Sequence, residues 1–461
     1  MSLKKCFFNV IFCVVTLNTV IAQQKINLPI GVFDSGTGGL TVLQAMLTLD
    51  AFNNTTGKEG GDGKPDFEKE YFQYLADQAN MPYGNYAAEQ KTDLLKEHIL
   101  KNMDFLLGKT YSTVQQQQTK SPVKMIVIAC NTATAYALED IKKVLQSTNT
   151  GVACIGVIEA GAKAALLQQK RENGTIGIFA TAGTVASNGY PRTLQRMAKS
   201  MGIDFVETIS QGGVGLAESI DRDWSYFVDT LSVVRTSYKG PSIKNTVYTI
   251  DTNLLAAYHF NQTANQVLCE YNEQGKCLDM QLNDPANYTR YHLVSMLEKL
   301  LKTPQQKPLN TLILGCTHYP YMKDTIAKVL QELYNFKQNG QYKYRQCLSE
   351  QVTLIDPAIE TAKEAYVQLR LQKLQQTIIN QQTMQNQFFI TVPNKQLTEI
   401  KLQQDGWFTY NYKYGRVVGA HKNDVEFVKF DTKNVSLATY LRFKQALPNV
   451  YRLLQQSVKG L

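Results

Sequence analysis

Short apolar runs of strand length, each followed by a helical pattern, recur along the chain and constrain its fold more than any other feature. Parallel sheets that are covered by helices on both faces have strands with this near-continuous apolar character. The sequence therefore predicts an α/β protein built on parallel sheets. The apolar runs cover residues 29–33, 71–77, 124–129, 151–157, 175–180, 203–209, 311–315 and 352–355.

Two of these runs end in a cysteine. Cys130 follows residues 124–129 and Cys316 follows residues 311–315, with small polar residues close behind each sulfur. Ligands of open α/β sheets bind at the carboxyl ends of the strands, where the start of the next helix also favours a thiolate. A thiolate of lowered pKa can take a proton from carbon, and a thiol can return one. The two stretches predict one site with two thiols, and they indicate two related halves.

The residues alone leave other functions open for these cysteines. Either cysteine by itself is a common buried core residue. A zinc site is disfavoured, because Cys316 and His318 lack the usual ligand spacing and the sequence has no C-x-x-C group. A cysteine hydrolase would use one cysteine and one histidine but not the second thiol. In the two-thiol hypothesis His318 assists Cys316, and Asp34 assists Cys130.

A glycine-rich turn at residues 36–39 follows the first apolar run. A dinucleotide fingerprint would need glycine at position 41, which is Thr41, and a phosphate loop would need a Gly-Lys pair. The backbone N–H groups of such a turn suit a carboxylate instead. Because Asp34 and Ser35 come directly before it, we expect the turn to lie at the same site. A purely structural strand-to-helix turn is the alternative.

Composition and the N-terminus bear on partners and location. The 461 residues are 44% hydrophobic and 19% charged, which is typical of a globular chain long enough for two domains. The formal charge of +9 is scattered and lacks an aromatic-plus-basic motif, so nucleic acid is not an expected partner. Residues 1–22 have two lysines, an apolar core and a small-residue end, which predicts a secretory signal peptide and no stable membrane span in the mature chain. We expect export to the periplasm or medium, or a cytoplasmic or anchored chain if the signal is not cleaved.

Four cysteines lie outside both the signal and the candidate site. Cys269 and Cys277 are close enough in sequence to pair across a loop, while Cys154 with Cys347 would form a long-range link. Four free thiols are the alternative, because the connectivity does not follow from spacing.

Several motifs closely resemble those of the glutamate racemase family, within the aspartate/glutamate racemase superfamily. The resemblance covers roughly residues 29–375. It implies two pseudo-symmetric α/β domains with the active site between them, and racemisation without pyridoxal phosphate, metal or another cofactor. The matching stretches are residues 34–40, 83–84, 129–133, 156–159, 180–185, 314–320 and 355–357.

The resemblance also implies a role for each matching position. Cys130 and Cys316 match the paired acid/base thiols, and Asp34 and His318 match their assisting groups. The implied substrate is glutamate, with D-glutamate supplied for peptidoglycan and the cell wall. The positions that match substrate contacts are Ser35, Tyr83, Gly84, Asn131, Thr132, Thr181, Thr184 and Thr317.

The implied domain layout is a crossed-over chain with additions. The usual glutamate after the sixth strand has no clean counterpart near residues 208–211, and the usual proline after Glu159 is absent. Racemisation of aspartate or another amino acid, an exported amino-acid-binding protein without catalysis, and a homodimer therefore stay open. The expected parts are a first domain at 23–154 completed by 340–376, a second at 155–339 with an insertion at 221–308, and a C-terminal accessory extension at 377–461.

Overall fold

The computed structural model of the chain describes residues 25–113, 116–263, 265–303, 307–378, 385–420, 423–458 and 461. These residues form two compact units. The first unit takes the described residues up to Val157 and those from Thr361 onward, and the second unit is Ile158–Glu360. The predicted signal at residues 1–22 lies outside the described residues. Within the described ranges, no helix has both the length and the apolar character that crossing a membrane requires.

The first pass of the chain builds most of the first unit. Its strands are β1 (Ile30–Asp34), β2 (Phe72–Ala76), β3 (Thr110–Ser112), β4 (Gln117–Thr119), β5 (Met125–Ile128) and β6 (Ala153–Gly156). Its helices are α1 (Leu40–Thr48), α2 (Gly84–Ala88), α3 (Thr92–Leu107) and α4 (Asn131–Ser147), with a 3₁₀ turn at Gln78–Asn80. Every residue of β1, β2 and β5 is buried, as expected for parallel strands that are covered on both faces.

The middle of the chain builds the second unit. Its strands are β7 (Thr175–Ala180), β8 (Thr208–Gly212), β9 (Val267–Tyr271), β10 (Cys277–Leu282), β11 (Leu309–Gly315), β12 (Lys337–Gln338), β13 (Gln341–Tyr342) and β14 (Leu348–Ile355). Its helices are α5 (Val157–Arg171), α6 (Ala182–Ala186), α7 (Gly189–Ser200), α8 (Leu216–Ile220), α9 (Leu255–Tyr258), α10 (Pro285–Leu301) and α11 (Lys323–Tyr334). Helix α12 (Pro357–Leu371) begins in the second unit, and its residues from Thr361 onward belong to the first. Short 3₁₀ turns cover Thr252–Leu254 and Tyr319–Met322.

The last part of the chain returns to the first unit. Its elements are β15 (Gln387–Pro393), α13 (Tyr410–Gly415), β16 (Val425–Lys429), α14 (Leu437–Ala446) and α15 (Pro448–Ser457). Helix α15 packs on α1, where its N-terminal N–H groups donate to Gln44.

The main sheets of both units are parallel, apart from one edge strand of the first sheet, which confirms the predicted fold class. The first has the order β16-β15-β2-β1-β5-β6, with only β16 antiparallel to its neighbour. The second has the order β14-β11-β7-β8, all parallel. In a parallel sheet all carboxyl ends lie at one edge. The residues that follow β2, β1 and β5 are therefore neighbours, and so are those that follow β11, β7 and β8.

One expected boundary differs from the structure because strand pairing decides which unit a segment joins. Residues 340–376 were expected to complete the first domain, but β14 pairs with β11, so residues 340–360 belong to the second unit. The expected C-terminal extension at 377–461 is present, and β15 within it pairs in parallel with β2 and continues the first sheet. The C-terminal part of the chain therefore supplies two strands of that sheet, β15 and the edge strand β16.

The expected insertion at 221–308 is regular in its last part. Helix α10 packs against β8 and α11 and belongs to the core of the second unit. The described residues between 221 and 284 hold only short elements, among them α9 and the antiparallel hairpin of β9 and β10. A disulfide joins Cys269 and Cys277 within that hairpin, as one of the alternatives predicts. Neither Cys154 nor Cys347 forms a disulfide, so the long-range link is absent from the described residues.

Candidate active site

The carboxyl ends of β1 and β5 bring Asp34, Ser35 and Cys130 together, because these strands are parallel neighbours. The Cys130 thiol donates a hydrogen bond to Ser35 Oγ over 3.6 Å. Its Sγ accepts a hydrogen bond from the N–H of Ala133 over 3.4 Å, so that Cys130 is the N-cap of α4. The first thiol thus lies where a buried strand passes into a helix, which is the predicted local arrangement.

The glycine turn holds the carboxylate of Asp34. One carboxylate oxygen, Oδ2, accepts hydrogen bonds from the N–H groups of Gly36 at 3.2 Å and Gly39 at 2.8 Å. A Cβ on residue 39 would lie 2.5 Å from Asp34 Cβ and 2.8 Å from Ala129 Cβ, so only glycine allows this close approach. The carboxylate that the turn holds in this structure is therefore the chain's own.

The surroundings of Cys130 favour its neutral thiol. Burial raises the pKa of Cys130 to about 12, and the negative charge of Asp34 acts in the same direction. Burial also raises the pKa of Asp34, against the hydrogen bonds from Gly39 and Gly36. The expectation of a lowered pKa at the helix start is wrong for Cys130, because loss of hydration outweighs the favourable N–H groups.

Cys316 has a different set of neighbours at the end of β11. The Nδ1 of His318 is 3.8 Å from Cys316 Sγ, and its Nε2 is 3.0 Å from Asp221 Oδ2. Cys316 is only 6% exposed. The imidazole therefore links a buried sulfur to a carboxylate.

The charge on His318 follows from these contacts. Burial alone would lower the pKa of His318, but hydrogen bonds to Asp221 and Cys316 outweigh it and raise the pKa to about 10. The imidazole is therefore positively charged at neutral pH, and it attracts negative charge on the adjacent sulfur. The two thiols have partners of opposite character: a carboxyl group beside Cys130 and an imidazolium beside Cys316.

Sequence reasoning did not identify Asp221 or its neighbour Glu218. Glu218 lies on α8, and Asp221 follows that helix directly, within the stretch that the sequence presents as irregular. Burial raises the pKa of Glu218, while the charge of His318 acts in the opposite direction. The available signal was this pair of acidic residues shortly after β8. They lie beyond residues 208–211, where the family pattern places its glutamate.

Hydroxyl groups line the same edge of the second sheet. Thr181 caps α6, since its Oγ1 accepts a hydrogen bond from the N–H of Thr184 at 3.2 Å and donates one to Thr184 Oγ1 at 3.0 Å. Thr317 Oγ1 lies 3.5 Å from His318 Nδ1. Because β7 and β11 are adjacent, these three threonines and Cys316 occupy neighbouring strand ends.

The side chain of Tyr83 is already engaged within the protein. It is 2% exposed, and its hydroxyl donates a hydrogen bond to Asp77 Oδ2 at 2.5 Å. Asp77 also accepts hydrogen bonds from Asn80 and Asn102. A substrate contact at Tyr83, or at Gly84 where α2 begins, would therefore use the backbone.

The predicted residues assemble separately within each unit. No group of three or more His, Cys, Asp or Glu side chains among the described residues could hold a metal ion. In the first unit Asp34, Ser35, Cys130, Asn131 and Thr132 lie at the ends of β1 and β5, with Tyr83 and Gly84 on the loop after β2. In the second unit the corresponding group is Thr181, Thr184, Cys316, Thr317 and His318.

Known racemases resemble this chain in sequence or in fold. The family model described as Asp/Glu/Hydantoin racemase matches residues 109–224. A glutamate racemase from Sulfurihydrogenibium sp. (strain YO3AOP1) is 31% identical over 233 residues, which are 48% of this chain and 74% of that protein. One from Oceanobacillus iheyensis is 28% identical over 335 residues, 73% of this chain and 77% of that protein. The solved structure of glutamate racemase isoform RacE1 from Bacillus anthracis aligns with a TM-score of 0.45 and 23% identity, over 79% of this chain and 88% of that one.

Proposed function

The chain belongs to the aspartate/glutamate racemase family, and from that premise we propose that it interconverts L-glutamate and D-glutamate. The names of its sequence relatives support glutamate as the substrate. The observation that carries the proposal is the pair of cysteines, each buried at the end of a parallel strand, with Asp34 beside Cys130 and His318 beside Cys316. In the proposed reaction the acid and base are the chain's own side chains, without a cofactor.

Inverting an α-carbon requires a base on one face and an acid on the other. In the proposed reaction one cysteine, as a thiolate, removes the α-proton and becomes a thiol. The other cysteine, as a thiol, gives its proton to the opposite face and becomes a thiolate. The proton count of the enzyme is unchanged by a turnover, and the two sulfurs exchange roles when the reaction runs in the other direction.

The partners of the two sulfurs fit these roles. The imidazolium of His318 lies beside Cys316, where its positive charge would stabilise the negative charge that this sulfur carries as the base. Cys130 has a raised pKa and is a neutral thiol that is ready to donate one. For the reverse direction, Asp34 is the group that can take the Cys130 proton, and His318 is the group that can give a proton to Cys316. The assisting roles of Asp34 and His318 therefore follow from their opposite charges.

The remaining positions are proposed to hold the substrate. Hydroxyl groups and backbone N–H groups at helix starts bind carboxylates and stabilise the negative charge that develops as the α-proton leaves. Such groups are present at the start of α4 in the first unit and at the strand ends of the second. The proposed contacts are Ser35, Asn131, Thr132, Thr181, Thr184 and Thr317, with the backbone of Tyr83 and Gly84.

Exchange of the α-proton with heavy water is the most direct test of the proposed function. We expect the wild-type chain to exchange this proton in both enantiomers of glutamate, and circular dichroism to follow the approach to the racemic mixture. The exchange rates of aspartate and other amino acids, measured in parallel, establish which substrate the chain prefers. Binding of glutamate without exchange of its α-proton would contradict racemisation and favour a binding protein. Faster exchange of the α-proton of aspartate would contradict glutamate as the preferred substrate.

Replacing either thiol should remove most of the activity. We expect Cys130→Ser and Cys316→Ser each to lower the rate of racemisation by about 10²- to 10⁴-fold, because each removes one proton-transfer group. Cys154→Ser is the matched control, since Cys154 is a thiol on β6 that is not among the candidate site residues, and it should keep the wild-type rate. Near-normal racemisation by Cys316→Ser would refute the two-base scheme.

We also propose that the chain is exported and that its product serves the cell wall. The sequence pattern of residues 1–22 and the disulfide between Cys269 and Cys277 both support an oxidising destination. The buried positions of Cys130 and Cys316 would limit their oxidation there. Sequencing the N-terminus of the mature protein tests this proposal: a start near residue 23 is expected, and an intact Met1 in the cytoplasmic fraction would contradict it.

A further inference from the structure

The C-terminal part of the chain contacts the loop that carries Tyr83 and Gly84. We define the substrate loop as residues 77–84 and the tail segment as the described residues between 387 and 424. Both belong to the first unit. Ala79 of the loop packs in a small apolar cluster with Ile400 and Phe408 of the tail segment, and three sets of polar contacts accompany that packing.

Asp77 is at the centre of the first set. It is fully buried, and its N–H donates a hydrogen bond to the carbonyl oxygen of Asp34 at 2.9 Å. Its carboxylate accepts hydrogen bonds from Tyr83 at 2.5 Å and from Thr391 Oγ1 at 2.6 Å. Thr391 Oγ1 also accepts one from the N–H of Ala79 at 3.1 Å. A hydroxyl from β15 therefore contacts both the loop backbone and the carboxylate that orients Tyr83.

Arg416 makes the second set. Its Nη2 donates to Asn80 Oδ1 at 2.6 Å and to the hydroxyl of Tyr86 at 3.1 Å, while Nη1 pairs with Asp424. The side chains of Arg416 and Asp424 are each only 1% exposed. The amide of Asn80 in turn donates to both carboxylate oxygens of Asp77. A buried network of this kind fixes one arrangement of its members, because each group that loses its partner is left unsatisfied.

The third set reaches the loop backbone just before Tyr83. Lys413 Nζ donates to the carbonyl oxygen of Met81 at 2.5 Å, and the Tyr414 hydroxyl donates to that of Pro82 at 3.4 Å. Both donors lie on α13. The backbone orientation at Tyr83 is therefore held from the tail segment as well as through the Tyr83 side chain.

We infer that the tail segment is a positioning element of the glutamate site, which holds the substrate loop ready to meet a substrate carboxylate with the backbone of Tyr83 and Gly84. The inference rests on the proposed function. Thr391, Lys413 and Arg416 act through the loop and do not touch the substrate. A loop that is already fixed loses little further freedom when the substrate binds, so the contribution is to affinity and KM more than to kcat.

Steady-state kinetics of tail variants test the inference. Thr391→Val keeps the shape of the side chain but removes the hydroxyl, and Lys413→Met removes the donor to Met81. We expect each to raise KM for glutamate, Thr391→Val by about tenfold, with kcat changed by less than about threefold. Thr391→Ser should recover most of the KM lost in Thr391→Val. Ser436→Ala is the matched control, because Ser436 caps α14 in the same C-terminal region and makes no contact with the loop among the described residues.

The outcomes separate the inference from the proposed function. If the wild-type chain racemises glutamate and both Thr391→Val and Lys413→Met keep its KM, the inference is wrong. Equal changes of KM in Ser436→Ala would also overturn it, because they would show a general effect of stability. If Thr391→Val does not fold, the KM of Lys413→Met alone decides whether the inference holds. If the wild-type chain does not racemise glutamate, the proposed function fails, and calorimetric binding of D-glutamate to the same variants still decides the positioning role.

Discussion

The two cysteines are alike in sequence but have opposite electrostatic surroundings. Burial and Asp34 keep Cys130 protonated, whereas the His318 imidazolium lies 3.8 Å from Cys316. The positions of both sulfurs were predictable, because a strand, a cysteine and a helix follow one another locally. The electrostatic surroundings of the sulfurs were not predictable, because the burial of Cys130 and the contact of Asp221 with His318 depend on residues distant in sequence.

The Asp221 carboxylate should set the pH dependence of the reaction. His318 is protonated below its pKa of about 10, so activity that needs the imidazolium is present below that pH and is lost as the pH rises through it. Asp221→Asn removes the charge, and we expect the alkaline limb of the kcat/KM profile to shift toward neutral pH. The same raised pKa stabilises the fold fully below the ordinary histidine pKa, and this contribution is lost as the pH rises through about 10.

A pH–rate profile of Asp221→Asn and a matched variant checks this expectation. Asp223→Asn is the control, because Asp223 is an exposed carboxylate on the same stretch that accepts a hydrogen bond from Ser225 instead. Its alkaline limb should coincide with that of the wild type. An unchanged limb in Asp221→Asn would mean that Asp221 does not govern the charge of His318.

At the scale of elements, strand pairing accounts for the main differences between expectation and structure. The apolar pattern of residues 352–355 predicted the strand β14, but periodicity does not say which neighbour a strand will pair with. β14 joins β11, and β15 joins β2. The helical pattern of α10 was missed because polar and aromatic residues interrupt it, although its buried face packs in the second core.

The hairpin of β9 and β10 gives a prediction at this scale. Its disulfide closes a loop with a sequence separation of 8, and a loop of that length contributes about 2–3 kcal/mol to the free energy of unfolding. We expect Cys269→Ala with Cys277→Ala to lower the melting temperature and leave racemisation unchanged, since the hairpin carries none of the candidate residues. Thermal unfolding with and without a reductant provides the check, and equal melting temperatures would show that the disulfide contributes nothing.

At the scale of the molecule, the motif-bearing stretches were predicted in the right order, and the family relationship followed from them. The signals were local: a glycine turn after β1, a cysteine after β5 and another after β11. The involvement of the C-terminal residues was not predictable, because Thr391 and Arg416 belong to no motif. Their contacts with Asp77 and Asn80 exist only in the folded chain.

The parallel pairing of β15 with β2 also has a consequence for the order of events during synthesis. The N–H of Phe72 donates to the side chain of Asn386 across 314 residues of sequence, and β15 lies between β2 and β16. A ribosome makes β2 long before it makes β15, so the edge of β2 stays unpaired until nearly the whole polypeptide has emerged. Contacts of such sequence separation form slowly. The nascent protein therefore cannot complete its first sheet early, and an incomplete chain cannot form the network around Asp77.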